Sequence, residues 1–280
     1  MKSLMIQGTT SSSGKSLLCT GLARIFSNKG IDVFPFKSQN MSSKFVLLDN
    51  GDKMATAQYI QAIAARIKPS VYMNPILLVP KANDASFVYY LGKEDRKYKA
   101  VDYFKQKEFY KKKIIDLYKE ISNSHDLILI EGAGSPAEIN LNQNDFVNSG
   151  MAEIANSNVL IVTDIDRGGS FAHLYGTYML LGESAKKRVK GFIINKFRGD
   201  KNLLKSGLKM IEDLTGVPVV GVVPYSEINI ADEDSLIDKM KEANKGFTIE
   251  EADKEIENFS KIIEENMDMD LIYKMIKEEK

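Results

Sequence analysis

The chain has 280 residues, and its 38 Lys+Arg balance 38 Asp+Glu, so charge points neither to nucleic acid nor to an anionic membrane as partner. One cysteine, Cys19, excludes an intrachain disulfide and suits a reducing compartment, and two distant histidines, His125 and His173, do not make a Cys/His zinc site. No run of about 20 apolar residues and no secretory pattern at the N-terminus are present, so a cytoplasmic protein without a membrane span is expected.

Short β-rich runs alternate with longer helical patterns, which is the signature of a mostly parallel sheet with helices on both faces. A strand over Ser3–Gln7 leads through a Gly/Ser-rich loop into a helix over Lys15–Asn28. A strand over Asp32–Phe36 and a helix over Ala55–Arg66 follow, and residues 67–100, with "SFVYYLG", read as an excursion from the main sheet. Next come a helix over Tyr103–Ser122 and strands over Leu127–Glu131 and Val159–Thr163, both continuous apolar runs of the kind covered on two faces. A helix over Phe171–Leu181, a strand over Gly191–Asn195, a helix over Asn202–Leu214 and a strand over Val217–Val222 complete the pattern. From Asp232 onward the chain is charged and helical, with Ile249, Ala252, Ile256, Phe259 and Ile263 at helical spacing and Thr248 and Glu251 at capping-box spacing. The expected division is a domain over residues 1–237 and a helical tail over 238–280, packed on the core or on a partner.

The loop "GTTSSSGKS", residues 8–16, carries the chemistry. Glycines let backbone N–H groups turn onto phosphate oxygens, and the helix start adds partial positive charge. In this P-loop reading Gly8, Thr9, Thr10, Ser13, Gly14, Lys15, Ser16 and Leu17 bind the nucleotide, Lys15 reaches the terminal phosphates, and the Ser16 hydroxyl is placed for Mg²⁺. Five residues separate Gly8 from Gly14 where the common motif has four, as in dethiobiotin synthetase and the partition ATPases. Glu131, at the carboxyl end of its strand, is the candidate metal carboxylate.

Longer stretches resemble cobyric acid synthase: "FKSQNMS" (36–42), "IEGAGSPAEINL" (130–141), "DFVNSGMA" (145–152), "DIDRGGSFAHLYGT" (164–177), "GFIINKFRGD" (191–200) and "GVVPY" (221–225). "DEDSL" (232–236) looks like the end of that family's synthetase domain. The resemblance covers residues 3–237 and implies a dethiobiotin-synthetase-like P-loop NTPase. Its activity would be to amidate the carboxylates of a corrinoid (adenosylcobyrinic acid a,c-diamide) with ATP and Mg²⁺, through acyl phosphates. It places Lys15, Lys37, Asp145, Asp166 and Arg167 in the catalytic crevice, with a buried ion pair as the competing reading of Asp166 and Arg167, and it puts Asn195 at the adenine.

Members of that family usually continue past residue ~240 into a glutamine amidotransferase domain that this chain does not show. The ammonia is then expected free or from a separate amidotransferase subunit, and a homodimer is among the expected assemblies. The family pattern has Asn-Ser at Lys44-Phe45, an acid and an Arg at Lys53 and Thr56, and a Gln at Phe87. The lost acid would be a second Mg²⁺ ligand, leaving Asp52 or Asp49 as substitute, and the changes are expected to meet substrate and metal. Two competing readings stand beside the ligase: a paralogue that binds without turnover, and a partition-type ATPase switch, against which the run Thr9-Thr10-Ser11-Ser12-Ser13 speaks because it lacks an early lysine.

Overall fold

A computed structural model describes residues 2–81, 85–141, 144–226 and 249–277. Its main sheet is six-stranded and parallel: β1 (Lys2–Gly8), β2 (Val33–Phe36), β9 (Leu127–Glu131), β10 (Asn158–Asp164), β11 (Val189–Phe197) and β12 (Val219–Pro224), in the order β12-β11-β10-β1-β9-β2. β1 lies inside, pairing Leu4 with Asn158 on one side and with Leu129 on the other. Alternation splits the strands between two cores. Leu4, Ile6, Leu127 and Leu129 pack with α1 (Lys15–Asn28), whereas Met5, Ile128 and Ile130 pack with α3 (Ala100–Ser122).

The excursion proves larger than its sequence suggests. It begins at residue 39, where β3 (Gln39–Met41) pairs in parallel with β6 (Ile76–Lys81), and continues antiparallel through β7 (Ala85–Tyr90) and β8 (Lys93–Lys99). A hairpin of β4 (Phe45–Leu47) and β5 (Lys53–Ala55) precedes α2 (Thr56–Ala65). Three-residue strands have too few positions to show a period, which is why β3, β4 and β5 were illegible. Short helices α4 (Ser149–Ile154) and α6 (Glu183–Arg188) flank α5 (Ser170–Leu180) in sequence, and α7 (Lys205–Thr215) starts after a 3₁₀ turn over Lys201–Leu204. That turn shifts the helix start from 202 to 205; the Asp200 side chain caps it by accepting from the Asn202 amide at 2.8 Å.

The tail forms α8 (Ile249–Asn266) and α9 (Met269–Lys277), laid on the core. Ala252, Ile256, Phe259 and Ile263 are fully buried against Leu18, Leu22 and Phe26 of α1. Thr248, the "DEDSL" stretch and the 237/238 boundary lie outside the described residues.

Candidate functional site

The loop after β1 closes on itself around Lys15. Gly14 takes φ 96°, in the left-handed region that a side chain resists, and a Cβ there would run into the Asn195 amide. Lys15, 6% exposed, donates from Nζ to the carbonyls of Thr10 (2.9 Å) and Gly134 (3.1 Å). Burial lowers its pKa to about 8, against the opposing pull of Glu131. A Cβ on Gly8 would meet Ser13 Oγ at 2.3 Å and Lys15 Nζ at 2.8 Å, so a larger residue there would push both side chains from their places. Thr9 is buried and bonded to Thr163, Thr10 is exposed, and the Ser13 hydroxyl is buried with no partner.

Glu131 sits under the loop, fully buried, with donors converging on both oxygens. Ser16 Oγ (2.8 Å) and Lys37 Nζ (2.6 Å) donate to Oε1; Gln58 (3.1 Å) and Gln61 (2.6 Å) donate to Oε2. Burial alone would push this carboxyl up, but the Lys37 charge and the hydrogen bonds from Lys37, Gln61 and Ser16 outweigh it and hold the carboxyl below its ordinary range. Glu131 is therefore held as the carboxylate, and removing Lys37 would leave that buried charge without its cationic partner.

These residues suit a magnesium ion. Adjacent ligand oxygens of an octahedral magnesium stand about 3 Å apart, given bonds of roughly 2.1 Å. Ser16 Oγ and Glu131 Oε1 are 2.8 Å apart, and the buried Gln61 Oε1 beside them has no partner. Phosphates and water would complete the coordination of an ion held by the Ser16 and Glu131 oxygens.

A cavity of about 790 Å³ opens from this floor. Its polar end is Ser11, Ser12, Lys15, Ser16, Lys37 and Glu131. Its far wall is apolar and aromatic: Met41, Leu78 and Val88 from the small sheet, Tyr98 from β8, and Tyr103 and Phe104 from the start of α3. Sequence reasoning passed over this wall, because no local pattern says that β8 and α3 face the phosphate loop. It also passed over Gln58 and Gln61, two amides three residues apart on the otherwise apolar helix "TAQYIQAIAA", a legible signal. Lys196 gave none. It holds φ 60°, facing Ser12 at φ 60°, and its Nζ ties the Ser12 carbonyl (2.9 Å) to Asp164 (2.8 Å).

Of four further expected site residues, Asp145 lines the cavity and Asn195, Asp166 and Arg167 do not. Asp145 borders the cavity, yet both its oxygens accept backbone amides, from Val147, Asn148 and Gly150, which anchors the start of α4. Asn195 donates to the Ser13 carbonyl at 3.0 Å and so braces the loop from behind. Asp166 and Arg167 are exposed and do not pair with each other, which removes the buried ion pair as well. Asp166 meets Arg198 at 3.0 Å, and Arg167 lies 3.8 Å from Asp164. Asp52 is corrected too: it stands in the β4–β5 turn, bonded to Asn50 at 2.7 Å, in a different depression from the one holding Ser16 and Glu131. The exposed Asp49 belongs to the same turn.

Phe45, Lys53 and Phe87 are corrected with them. They gather around Tyr89 on the sheet face turned from the cavity, whereas Ser86 and Val88 face it. Cys19 is fully buried in α1, and burial pushes its thiol well above the usual range. His125 pairs with Asp32 at 2.9 Å, far from any thiol role. No helix among the described residues is long and apolar enough to cross a membrane.

The family of CobQ/CobB/MinD/ParA nucleotide binding domains matches residues 4–237. Cobyric acid synthase of Clostridium novyi is 55% identical over 240 residues, 86% of this chain and 48% of that protein. Cobyric acid synthase of Alkaliphilus metalliredigens is 53% identical over the same shares. The chain spans about half the length of the curated relatives it matches. Among solved structures, the MinD cell division protein of Aquifex aeolicus superposes with a TM-score of 0.47 at 18% identity, covering 93% of this chain and 96% of that one.

Proposed function

The chain belongs to the CobQ/CobB/MinD/ParA nucleotide binding domain family, and on that premise we propose that it is the ATP-using part of a ligase that amidates side-chain carboxylates of a corrinoid. The substrate is adenosylcobyrinic acid a,c-diamide, and the cofactors are ATP and Mg²⁺. One observation carries this reading: a single cavity joins a phosphate-binding floor at Lys15 to an aromatic and apolar wall at Tyr98, Tyr103 and Phe104, large enough to lodge part of a macrocycle beside a nucleotide.

A carboxylate is a poor electrophile. Its oxygen takes the γ-phosphoryl group of ATP, releasing ADP and leaving an acyl phosphate. Ammonia then attacks the acyl carbon, phosphate departs with the bonding pair, and the nitrogen loses a proton to give the amide. Such a transfer needs positioning and charge neutralisation rather than a protein nucleophile. The loop amides and Lys15 hold the phosphates. Ser16 and Glu131 would hold the magnesium, which when bound draws charge from the phosphate oxygens. Lys37, on the cavity wall against Glu131, would meet the negative charge that collects on the reacting carboxylate. Asp145, Asn195 and Lys196 fix the surrounding loops, and the chemistry makes no use of Asp52, Asp166 or Arg167.

Cys19 is sealed in the core and protonated, so it offers no nucleophile for glutamine hydrolysis, and the ammonia is supplied to this floor from outside the described residues. The test is ADP release by the purified protein with Mg·ATP and ammonium, with and without the corrinoid acid. Release that requires the corrinoid and matches amide formed supports the ligase. ATP hydrolysis indifferent to the corrinoid overturns it.

A further inference from the structure

Arg24 has the largest fully buried side chain of the described residues. A guanidinium stays charged at any pH a protein meets, so a wholly buried one must be met by fixed partners. Arg24 lies in α1 about two turns beyond Ser16. Its Nε donates to the Ala64 carbonyl at 2.9 Å and its Nη2 to the Ile63 carbonyl at 3.1 Å, both at the end of α2. Among the described residues its ion-pair partners both come from the tail: Asp253, in direct contact, and Glu257 at 3.3 Å.

The helix that Arg24 fastens is the one that carries Gln58 and Gln61, the two amides on Glu131 Oε2. The tail is seated closely enough to act on it. A Cβ on Gly21 would strike the Ile263 side chain, and the Asp268 amide donates to the Val220 carbonyl at 2.7 Å. Detached, α8 would take both counter-charges from the guanidinium and leave only the two helix carbonyls to hold it.

We infer that the α8–α9 tail is a working part of the metal end of the site: by neutralising Arg24, Asp253 and Glu257 lock the end of α2 to α1 and so hold Gln58 and Gln61 against Glu131. Arg24 is thus a positioning residue, acting through α2 on the carboxylate that would hold magnesium. The inference rests on the nucleotide and metal reading of the loop and not on the corrinoid.

The experiment is a Mg²⁺ titration of binding of a fluorescent ATP analogue to the full chain, with the metal-free affinity measured in EDTA. Residues behind a metal ligand typically change metal affinity on the order of tenfold or more. The double variant D253N/E257Q should therefore raise the Mg²⁺ concentration for half-maximal effect about tenfold, with the metal-free affinity kept within about twofold. Gln61→Ala should give the same shift, and adding it to the double variant should give no further one. Should the double variant fail to fold by circular dichroism, Asp253→Asn alone is read in the same way, for a smaller shift. An unchanged Mg²⁺ requirement in a folded variant overturns the inference, as does equal weakening with and without metal. Wild-type binding that ignores Mg²⁺ would overturn the metal reading itself, and with it the inference.

Discussion

One face of the β3-β6-β7-β8 sheet looks into the cavity with Leu78, Ser86, Val88 and Tyr98, while the other carries Leu77, Phe87 and Tyr89 away from it. Of the chain's departures from the family pattern, Phe87 lies on that second face, and Phe45 and Lys53 of the β4–β5 hairpin pack against it. Lys53 Nζ lies 4.5 Å from the Phe45 ring centre and 4.2 Å from that of Tyr89, and donates to the Tyr89 hydroxyl at 2.8 Å. Lys53 and Phe45 therefore answer each other as a cation–aromatic contact, while the Phe87 ring packs beside Tyr89 and takes Lys81 at 4.3 Å. The cavity side keeps a floor in which every oxygen of Glu131 is engaged. Ser86 and Phe87 are chain neighbours on opposite faces, so nearness to a motif does not measure nearness to the chemistry.

The contrast breaks most visibly at Lys15. Lys15→Ala should weaken Mg·ATP binding on the order of 10²-fold by calorimetry, since it removes charge-assisted bonds to phosphate. Glu131→Gln should lower Mg²⁺-dependent turnover by a factor on the order of 10². It should also destabilise the fold by roughly 3–5 kcal/mol, because Lys37 is left buried without its ion-pair partner; a thermal melt reads this directly. An unchanged melt would mean that Lys37 finds another counter-charge.

The pH dependence sharpens the same side. Burial lowers Lys15 to about 8 from 10.5, so in the free protein it is cationic below pH 8 and increasingly neutral above it. Phosphate binding favours the cation, so nucleotide affinity should be flat below pH 8 and fall above it, approaching tenfold per unit. The free fold behaves oppositely: from about pH 8 to 10.5 the unfolded chain holds the extra proton, and this group's contribution to stability rises with pH. Affinity that climbs through pH 9 would contradict the charge placed on Lys15.

On the apolar wall, Phe104 is 44% exposed in the cavity, so Phe104→Ala should raise the corrinoid KM several-fold, for about 1–2 kcal/mol of lost contact, and leave nucleotide affinity alone. The smallest effect belongs to the far face. Lys53→Asp, which reinstates an acid there, should leave the Mg²⁺ requirement within about twofold and cost roughly 1 kcal/mol of cation–aromatic contact. A tightened Mg²⁺ requirement would show that position 53 reaches the metal after all.

The parallel sheet was legible because its strands are continuous apolar runs and each helix repeats over several turns. Lys15–Asn28 and Leu127–Glu131 are found where periodicity puts them. The phosphate loop was legible because its chemistry is local, nine residues in one stretch. The rest of the site joins distant segments. Gln58 and Gln61 reach Glu131 across 70 residues and more, and Tyr98 and Tyr103 reach the cavity through a second sheet whose shortest strands carry no period. Asp145 and Asn195 stand where a motif led one to look, yet their polar atoms are taken by backbone, which only coordinates reveal.

The central claim is that ATP activates a corrinoid carboxylate on this floor. The most direct measurement supplies corrinoid acid labelled with ¹⁸O in its carboxylates, together with Mg·ATP, ammonium and the purified protein, and follows the label by mass spectrometry. Attack of the carboxylate oxygen on the γ-phosphorus predicts one ¹⁸O in the inorganic phosphate for each amide formed. Phosphate released without label, or label found in AMP, would contradict the account.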